Sequence, residues 1–83
     1  MVSRIINEPV VVHLDTGTKV TAFIWRRRLY RVKDILSWWR EPSQWWQEEP
    51  VLLLVRVTAA NRNDGIYELY RTGIRWFLHR IFD

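Results

Sequence analysis

The chain has 83 residues, of which 48% are hydrophobic and 14% aromatic, and its formal net charge is +4 at pH 7. This length predicts one small domain over residues 1–83, whose core depends on large side chains because a short chain buries limited surface. The absence of cysteine excludes disulfides, thiolate metal sites and thiol catalysis. The longest apolar run, residues 51–55, is too short for a membrane span and no signal peptide is present. We therefore expect a cytoplasmic domain without a membrane partner.

Alternation of apolar and polar residues predicts three strands in the first part of the chain, over residues 9–14, 19–26 and 29–33. The turn-forming residues 15–18 separate the first two strands. Three arginines, Arg26 to Arg28, lie between two apolar runs and predict a tight hairpin turn. Because no glycine is present there, we expect one of these arginines to adopt a positive φ.

The stretch from Asp34 to Arg40 fits two structures. Its apolar residues are spaced as in a helical turn, but they also alternate as in a strand. We favour a bulged continuation of the third strand, with one helical turn as the alternative. Residues 41–49, bracketed by Pro42 and Pro50, are predicted to form a loop.

The remaining pattern predicts strands over residues 51–60, 66–71 and 74–81, separated by turns at residues 61–65 and at Thr72-Gly73. Six short strands in meander order indicate an all-β fold, a small antiparallel barrel or strongly curled sheet with at most one short helical turn. Barrel closure would also hide the edge strands. The residues expected to be largely buried are Phe23, Trp25, Tyr30, Val32, Leu53, Val55, Val57 and Trp76.

Residues for catalysis or metal binding are sparse. His13 pairs with Asp15, and His79 with Asp83, but neither pair brings a third ligand. The serines have no neighbouring base, and the glycines are isolated turn residues rather than a phosphate-binding loop. We therefore predict a protein that is not an enzyme and that has no metal site and no cofactor.

A group of cations, which we call the basic strip, consists of Arg26, Arg27, Arg28, Arg31 and Lys33. The first three form the predicted hairpin turn, and the other two follow at alternate positions of the next strand. Closely spaced arginines beside aromatic residues are typical of surfaces that follow a phosphate backbone. The basic strip is therefore the predicted nucleic-acid-binding site, although a solvent-exposed hairpin without a ligand would have the same composition.

Six residues are tryptophan, and four of them form the pairs Trp38-Trp39 and Trp45-Trp46. One interpretation is that Trp39 and either Trp45 or Trp46 plug the open end of the barrel. The other is that exposed rings form a protein-docking surface, for which Trp38, Trp45 and Trp46 are the candidates. At least one of the four indoles should be exposed, because adjacent residues of an extended chain point to opposite faces.

The spaced aromatic residues between positions 8 and 83 also carry a resemblance to a known family. The residues that carry the resemblance, together with these aromatics, are 23–32, Ile35, Leu36, Trp39, Trp45, Trp46, 67–70, 76–78, Phe82 and Asp83. In these residues the chain resembles a small bacterial family of unknown function, whose members lie beside or are fused to Y-family translesion DNA polymerases. The family tends to have glycine where this chain has Arg27. The resemblance implies a role near DNA repair or lesion bypass and carries no functional residue over.

Two hypotheses from different classes follow. The first is a non-catalytic accessory domain that binds nucleic acid weakly through the basic strip, with DNA as a candidate partner. The alternative is a protein-interaction module that docks through its tryptophans on a Y-family polymerase or on a second copy of itself. Binding through arginines should weaken steeply with salt, whereas docking through buried tryptophan should not.

Overall fold

A computed structural model of the chain describes residues 2–41 and 52–82, and every regular element in these residues is a strand. The strands are β1 (Ser3–Leu14), β2 (Val20–Trp25), β3 (Arg28–Glu41), β4 (Leu52–Asn61), β5 (Asn63–Thr72) and β6 (Arg75–Phe82). Each strand pairs antiparallel with the next, and β6 pairs with β1 to close a barrel. The predicted all-β meander is thus confirmed. We call the end with the β2–β3 and β4–β5 turns the upper end, and the opposite one the lower end.

Strand β1 begins six residues earlier than the sequence predicted, at Ser3 rather than Pro9. Its register against β6 shifts between Ile5 and Glu8, and Asn7 within this bulge has a φ of 52°. A bulge reverses which side chains face the core, so it conceals the period of two on which the prediction relied. The additional residues pair with the end of β6 and complete the barrel.

Strand β3 continues through the ambiguous stretch to Glu41, which confirms the bulged continuation. Its register against β4 shifts between Val32 and Asp34 and again between Ile35 and Ser37. Pairing with β2 ends at Arg31, so the rest of β3 pairs only with β4 among the described residues. Closure hides the edge strands β1 and β6, as expected, while the lower half of β3 extends past its pairing with β2.

The turn between β4 and β5 is tighter than predicted. Only Arg62, with a φ of 71°, separates the paired residues Asn61 and Asn63. Gly65 was predicted as a turn residue but lies within β5, where a Cβ would be 3.0 Å from the ring of Tyr67. Glycine is needed at this position because the buried tyrosine ring packs directly against the backbone.

The barrel interior is filled largely by aromatic and branched side chains. Four of the predicted core residues are buried: Phe23, Tyr30, Val55 and Val57. The other four, Trp25, Val32, Leu53 and Trp76, are half-buried and pack against this core. The rings of Phe23 and Tyr30 stack with centroids 5.0 Å apart, and the Tyr67 ring meets both edge-on. This aromatic cluster ties β2, β3 and β5 together across the interior.

A buried carboxylate lies on the other side of the sheet from the core. Glu68 is only 3% exposed, although its neighbours along β5 face the interior. It accepts a hydrogen bond of 2.9 Å from Arg56, while His79 Nε2 and Arg80 Nε lie 3.6 Å and 3.9 Å from its second oxygen. The Arg56 guanidinium packs over the rings of Trp39 and Phe82.

Candidate nucleic-acid interface

The β2–β3 turn consists of two residues, Arg26 and Arg27, between the paired residues Trp25 and Arg28. The φ angles of Arg26 and Arg27 are 50° and 66°, as a type I′ hairpin turn requires. The sequence predicted one strained arginine here, and the structure has two. Each residue in this region costs roughly 1–2 kcal/mol relative to a right-handed conformation. Two charged residues therefore occupy turn positions at which glycine would have no backbone strain.

The first arginine of the turn is fixed by a carboxylate from β1. Arg26 Nε and Nη2 donate to Glu8 at 3.0 Å and 2.7 Å, and Trp25 Nε1 donates to the same carboxylate at 3.1 Å. The hydrogen bonds from Arg26 and then Trp25 hold the pKa of Glu8 below its ordinary value. Since the Arg26 guanidinium also packs 4.6 Å from the centre of the Trp25 ring, it is committed to anchoring the turn.

The structure divides the basic strip into paired and unpaired cations. Arg26 binds Glu8, and Lys33 Nζ lies 2.7 Å from the carboxylate of Asp64. Arg27, Arg28 and Arg31 are exposed and have no acidic partner among the described residues. Three of the five predicted cations are therefore free to bind an anion.

A further arginine, which sequence reasoning missed, lies at the same end of the barrel. The β4–β5 turn places the exposed Arg62 beside β3, where the side chain of Asn61 donates to the Leu29 carbonyl at 2.7 Å. The sequence did contain a signal, because alternate hairpins of a meander lie at the same end. We call Arg27, Arg28, Arg31 and Arg62 the arginine cluster; no carboxylate binds any of them within residues 2–41 and 52–82.

Among residues 2–41 and 52–82, no exposed aromatic ring adjoins the arginine cluster as a platform for base stacking. The nearest tryptophan, Trp25, is half-buried, its ring is covered by Arg26 and its indole N–H is bound to Glu8. Such a surface offers guanidinium groups that can bind phosphates. It offers few groups for stacking on bases or for contacting base edges.

The described tryptophan pair, Trp38 and Trp39, lies in the lower half of β3, away from this end. Trp38 is 65% exposed, which satisfies the expectation that at least one of the four indoles is exposed. Trp39 is half-buried, donates from Nε1 to Glu41 at 3.0 Å and packs against Arg56. Trp45 and Trp46 lie outside the described residues, so their predicted plugging or docking role stays a prediction.

At the lower end the barrel opens into a cavity of about 700 Å³. Its apolar lining includes Val20, Val55 and Trp76, and on the β3 side Ile35 and Trp38. The expectation that Trp39 plugs this opening is wrong, because Trp38 lines the opening while Trp39 packs against Arg56.

The described residues lack two further kinds of feature. No three His, Asp or Glu side chains there come together as a metal site would require. No helix in these ranges is long and apolar enough to cross a membrane.

Comparison with known families matches residues 1–83 to the family described as "Domain of unknown function (DUF6504)". The chain belongs to this family. Comparisons with curated proteins and with solved structures give no match. The resemblance to a family of unknown function is thus confirmed at the level of the family and covers the whole chain. The DUF6504 description assigns no activity and no partner, so the arginine cluster has to be interpreted from its own chemistry.

Proposed function

We propose that this DUF6504 domain is a non-catalytic accessory domain that binds DNA weakly through phosphate contacts at the arginine cluster. The observation that carries the proposal is that Arg27, Arg28, Arg31 and Arg62 all lie in or near the two turns at one end of the barrel. All four are exposed, and within the described residues none is bound by a carboxylate. Clustered cations without counter-ions repel one another, and an anionic ligand relieves that repulsion.

The choice of arginine supports a phosphate ligand. A guanidinium is planar and always charged, and it presents paired N–H donors that match two oxygens of one phosphate. Because phosphate contacts carry no base information, binding should be independent of sequence. Its affinity should be low, since about four contacts are available, and should fall steeply with salt.

The geometry of the β2–β3 turn supports the same ligand. Two residues at positive φ are retained there as arginines, and Glu8 holds the first of them by two hydrogen bonds. A turn fixed in this way presents Arg27 and Arg28 with little further loss of backbone freedom on binding. Backbone strain that is maintained by surrounding contacts is common at binding sites.

The cellular context of the proposal is DNA repair or lesion bypass. It rests on the resemblance to proteins found beside or fused to Y-family translesion polymerases. A weak, sequence-independent contact is useful in that setting, because linkage to a polymerase converts it into an intramolecular contact at high effective concentration. The polymerase is accordingly the proposed protein partner.

The exposure of Trp38 favours a second candidate function, docking on a protein. An indole that is 65% exposed on a small domain is a candidate contact residue for a protein partner. Trp38, Trp45 and Trp46 remain the proposed docking residues, and the proposed partners are the polymerase or a second copy of the chain.

Replacing Arg27 and Arg28 together with serine is expected to weaken DNA binding about equally for all sequences. Fluorescence anisotropy of a labelled single-stranded oligonucleotide measures the affinity at several salt concentrations. For about four phosphate contacts the log–log salt slope should be about −3, and loss of two contacts should bring it to about −1.5. The matched control is Lys19→Ser with Arg75→Ser, which removes the same charge from exposed residues at the lower end.

The control variant should retain most of the wild-type affinity, because its substitutions lie far from the arginine cluster. Equal losses in the two variants would mean that only net charge matters. No binding by the wild-type protein at low salt would refute the proposal.

A further inference from the structure

The two turns at the upper end of the barrel are each bonded to a neighbouring strand. In the β4–β5 turn, the side chain of Asn61 donates a hydrogen bond of 2.7 Å to the Leu29 carbonyl of β3. In the β2–β3 turn, Arg26 donates two hydrogen bonds, of 3.0 Å and 2.7 Å, to Glu8 of β1. The two turns are therefore held at a defined spacing.

The strand register gives that spacing. The turns are two strand intervals apart, or about 10 Å. The pair Arg31–Ala60 fixes the register of β3 against β4. Counting from this pair towards the turns, Arg62 lies level with Leu29, and Arg27 lies two residues beyond, roughly 7 Å further along the strands. The backbones of Arg27 and Arg62 are thus separated by about 12 Å.

This separation suits a double-stranded ligand. The minor and major grooves of B-DNA are about 6 Å and 12 Å wide, and a row of phosphates borders each side of both. Arginine side chains extend several ångströms beyond the backbone, so each turn can contact a different row. A single strand offers only one row of phosphates to the two turns.

The described surface of the arginine cluster also lacks a feature on which single-strand sites depend. Such sites combine a basic groove with exposed aromatic rings that stack on the bases. Within residues 2–41 and 52–82, the nearest tryptophan is Trp25, which is half-buried and covered by Arg26. A flexible strand must in addition be ordered when it binds two fixed turns, and this costs free energy that a rigid duplex does not lose.

We propose that the arginine cluster binds duplex DNA, with the β2–β3 turn on the phosphates of one strand and the β4–β5 turn on those of the other. Arg27 and Arg28 contact the first strand, and Arg62 contacts the second. Because all these contacts are to phosphates, no base sequence is preferred. This inference rests on the proposed function and narrows its ligand from DNA to the double-stranded form.

Three labelled oligonucleotides of one sequence test the inference. They are a short duplex, one of its strands alone, and the same duplex with one strand made uncharged by methylphosphonate linkages. Fluorescence anisotropy at low salt measures the three affinities. We expect the duplex to bind about fivefold or more tightly than the single strand, and neutralisation of one strand to weaken duplex binding about tenfold, because one turn then loses its phosphates.

Arg62→Asn separates contact with two strands from a general attraction to charge. Asparagine tolerates the φ of 71° at this position, so the turn should keep its shape. The variant contacts one strand only, and we expect neutralisation of one strand to weaken its binding by no more than about twofold. Arg75→Asn is the matched control, since it removes the same charge from an exposed residue at the lower end. It should remain as sensitive to neutralisation as the wild type.

A single strand that binds as tightly as the duplex would overturn this inference and leave the phosphate contacts of the proposed function intact. So would an Arg62→Asn variant that is folded by circular dichroism and yet as sensitive to neutralisation as the wild type. Absence of binding to all three oligonucleotides would refute the proposed function and this inference with it.

Discussion

Replacing Phe23 with alanine is expected to lower the free energy of unfolding by about 3–5 kcal/mol. Phe23 is fully buried, and its ring stacks on Tyr30 and meets Tyr67 edge-on. The substitution removes the transfer free energy of the ring and leaves a cavity where β2, β3 and β5 meet. Chain closure around the barrel limits how far the strands can collapse into that cavity.

This loss is a large fraction of the free energy of unfolding of the domain, because a protein of this size is typically stable by only about 4–12 kcal/mol. Urea denaturation followed by tryptophan fluorescence measures the change. The control Leu29→Ala removes a large apolar side chain that is 40% exposed, and should cost about 1 kcal/mol or less. Similar losses in both variants would mean that the aromatic cluster is not the core of the fold.

The second large loss of stability is expected when Glu68 is replaced. Glu68→Gln keeps the shape of the side chain but removes the charge that Arg56 and Arg80 share. Arg56 would be left poorly compensated, and its Nε atom already has no hydrogen-bond partner among the described residues. We expect a destabilisation of about 1–3 kcal/mol, because removing one member of a buried charged network leaves the others unsatisfied.

Asp64→Asn provides the control for Glu68→Gln, because it breaks an ion pair between two exposed side chains, Lys33 and Asp64. Exposed pairs contribute about 1 kcal/mol or less. Thermal and urea unfolding at neutral pH should therefore show a clearly lower stability for Glu68→Gln than for Asp64→Asn. If Glu68→Gln were as mild as Asp64→Asn, the ion pairs of Glu68 would contribute no more than surface charges do.

The fold was largely predictable because alternation and turn residues are local signals. Four of the six strands, β2, β4, β5 and β6, begin and end within about three residues of their predicted bounds, and β3 differs by the extension that was favoured as a bulged continuation. Two features were missed for definite reasons. The bulge near Asn7 reversed the alternation in β1, and Gly65 was read as a turn residue although its role is to accommodate the Tyr67 ring.

The candidate site was only partly predictable. The sequence locates the arginines of the β2–β3 turn, but it does not show that Glu8, 18 positions away, neutralises Arg26. It also does not show that Lys33 pairs with Asp64. Ion pairing depends on which strands are neighbours, and this is known only once the barrel is closed.

The central claim, that the arginine cluster binds the DNA backbone, is tested most directly by locating the binding surface. A titration of ¹⁵N-labelled protein with a short oligonucleotide at low salt, followed by amide and indole chemical shifts, makes that measurement. If the arginine cluster binds DNA, shifts are expected only at residues 26–31 and 61–63, with the Trp38 indole unchanged. Shifts centred on Trp38 and residues 34–41, or no shifts at all, would contradict it.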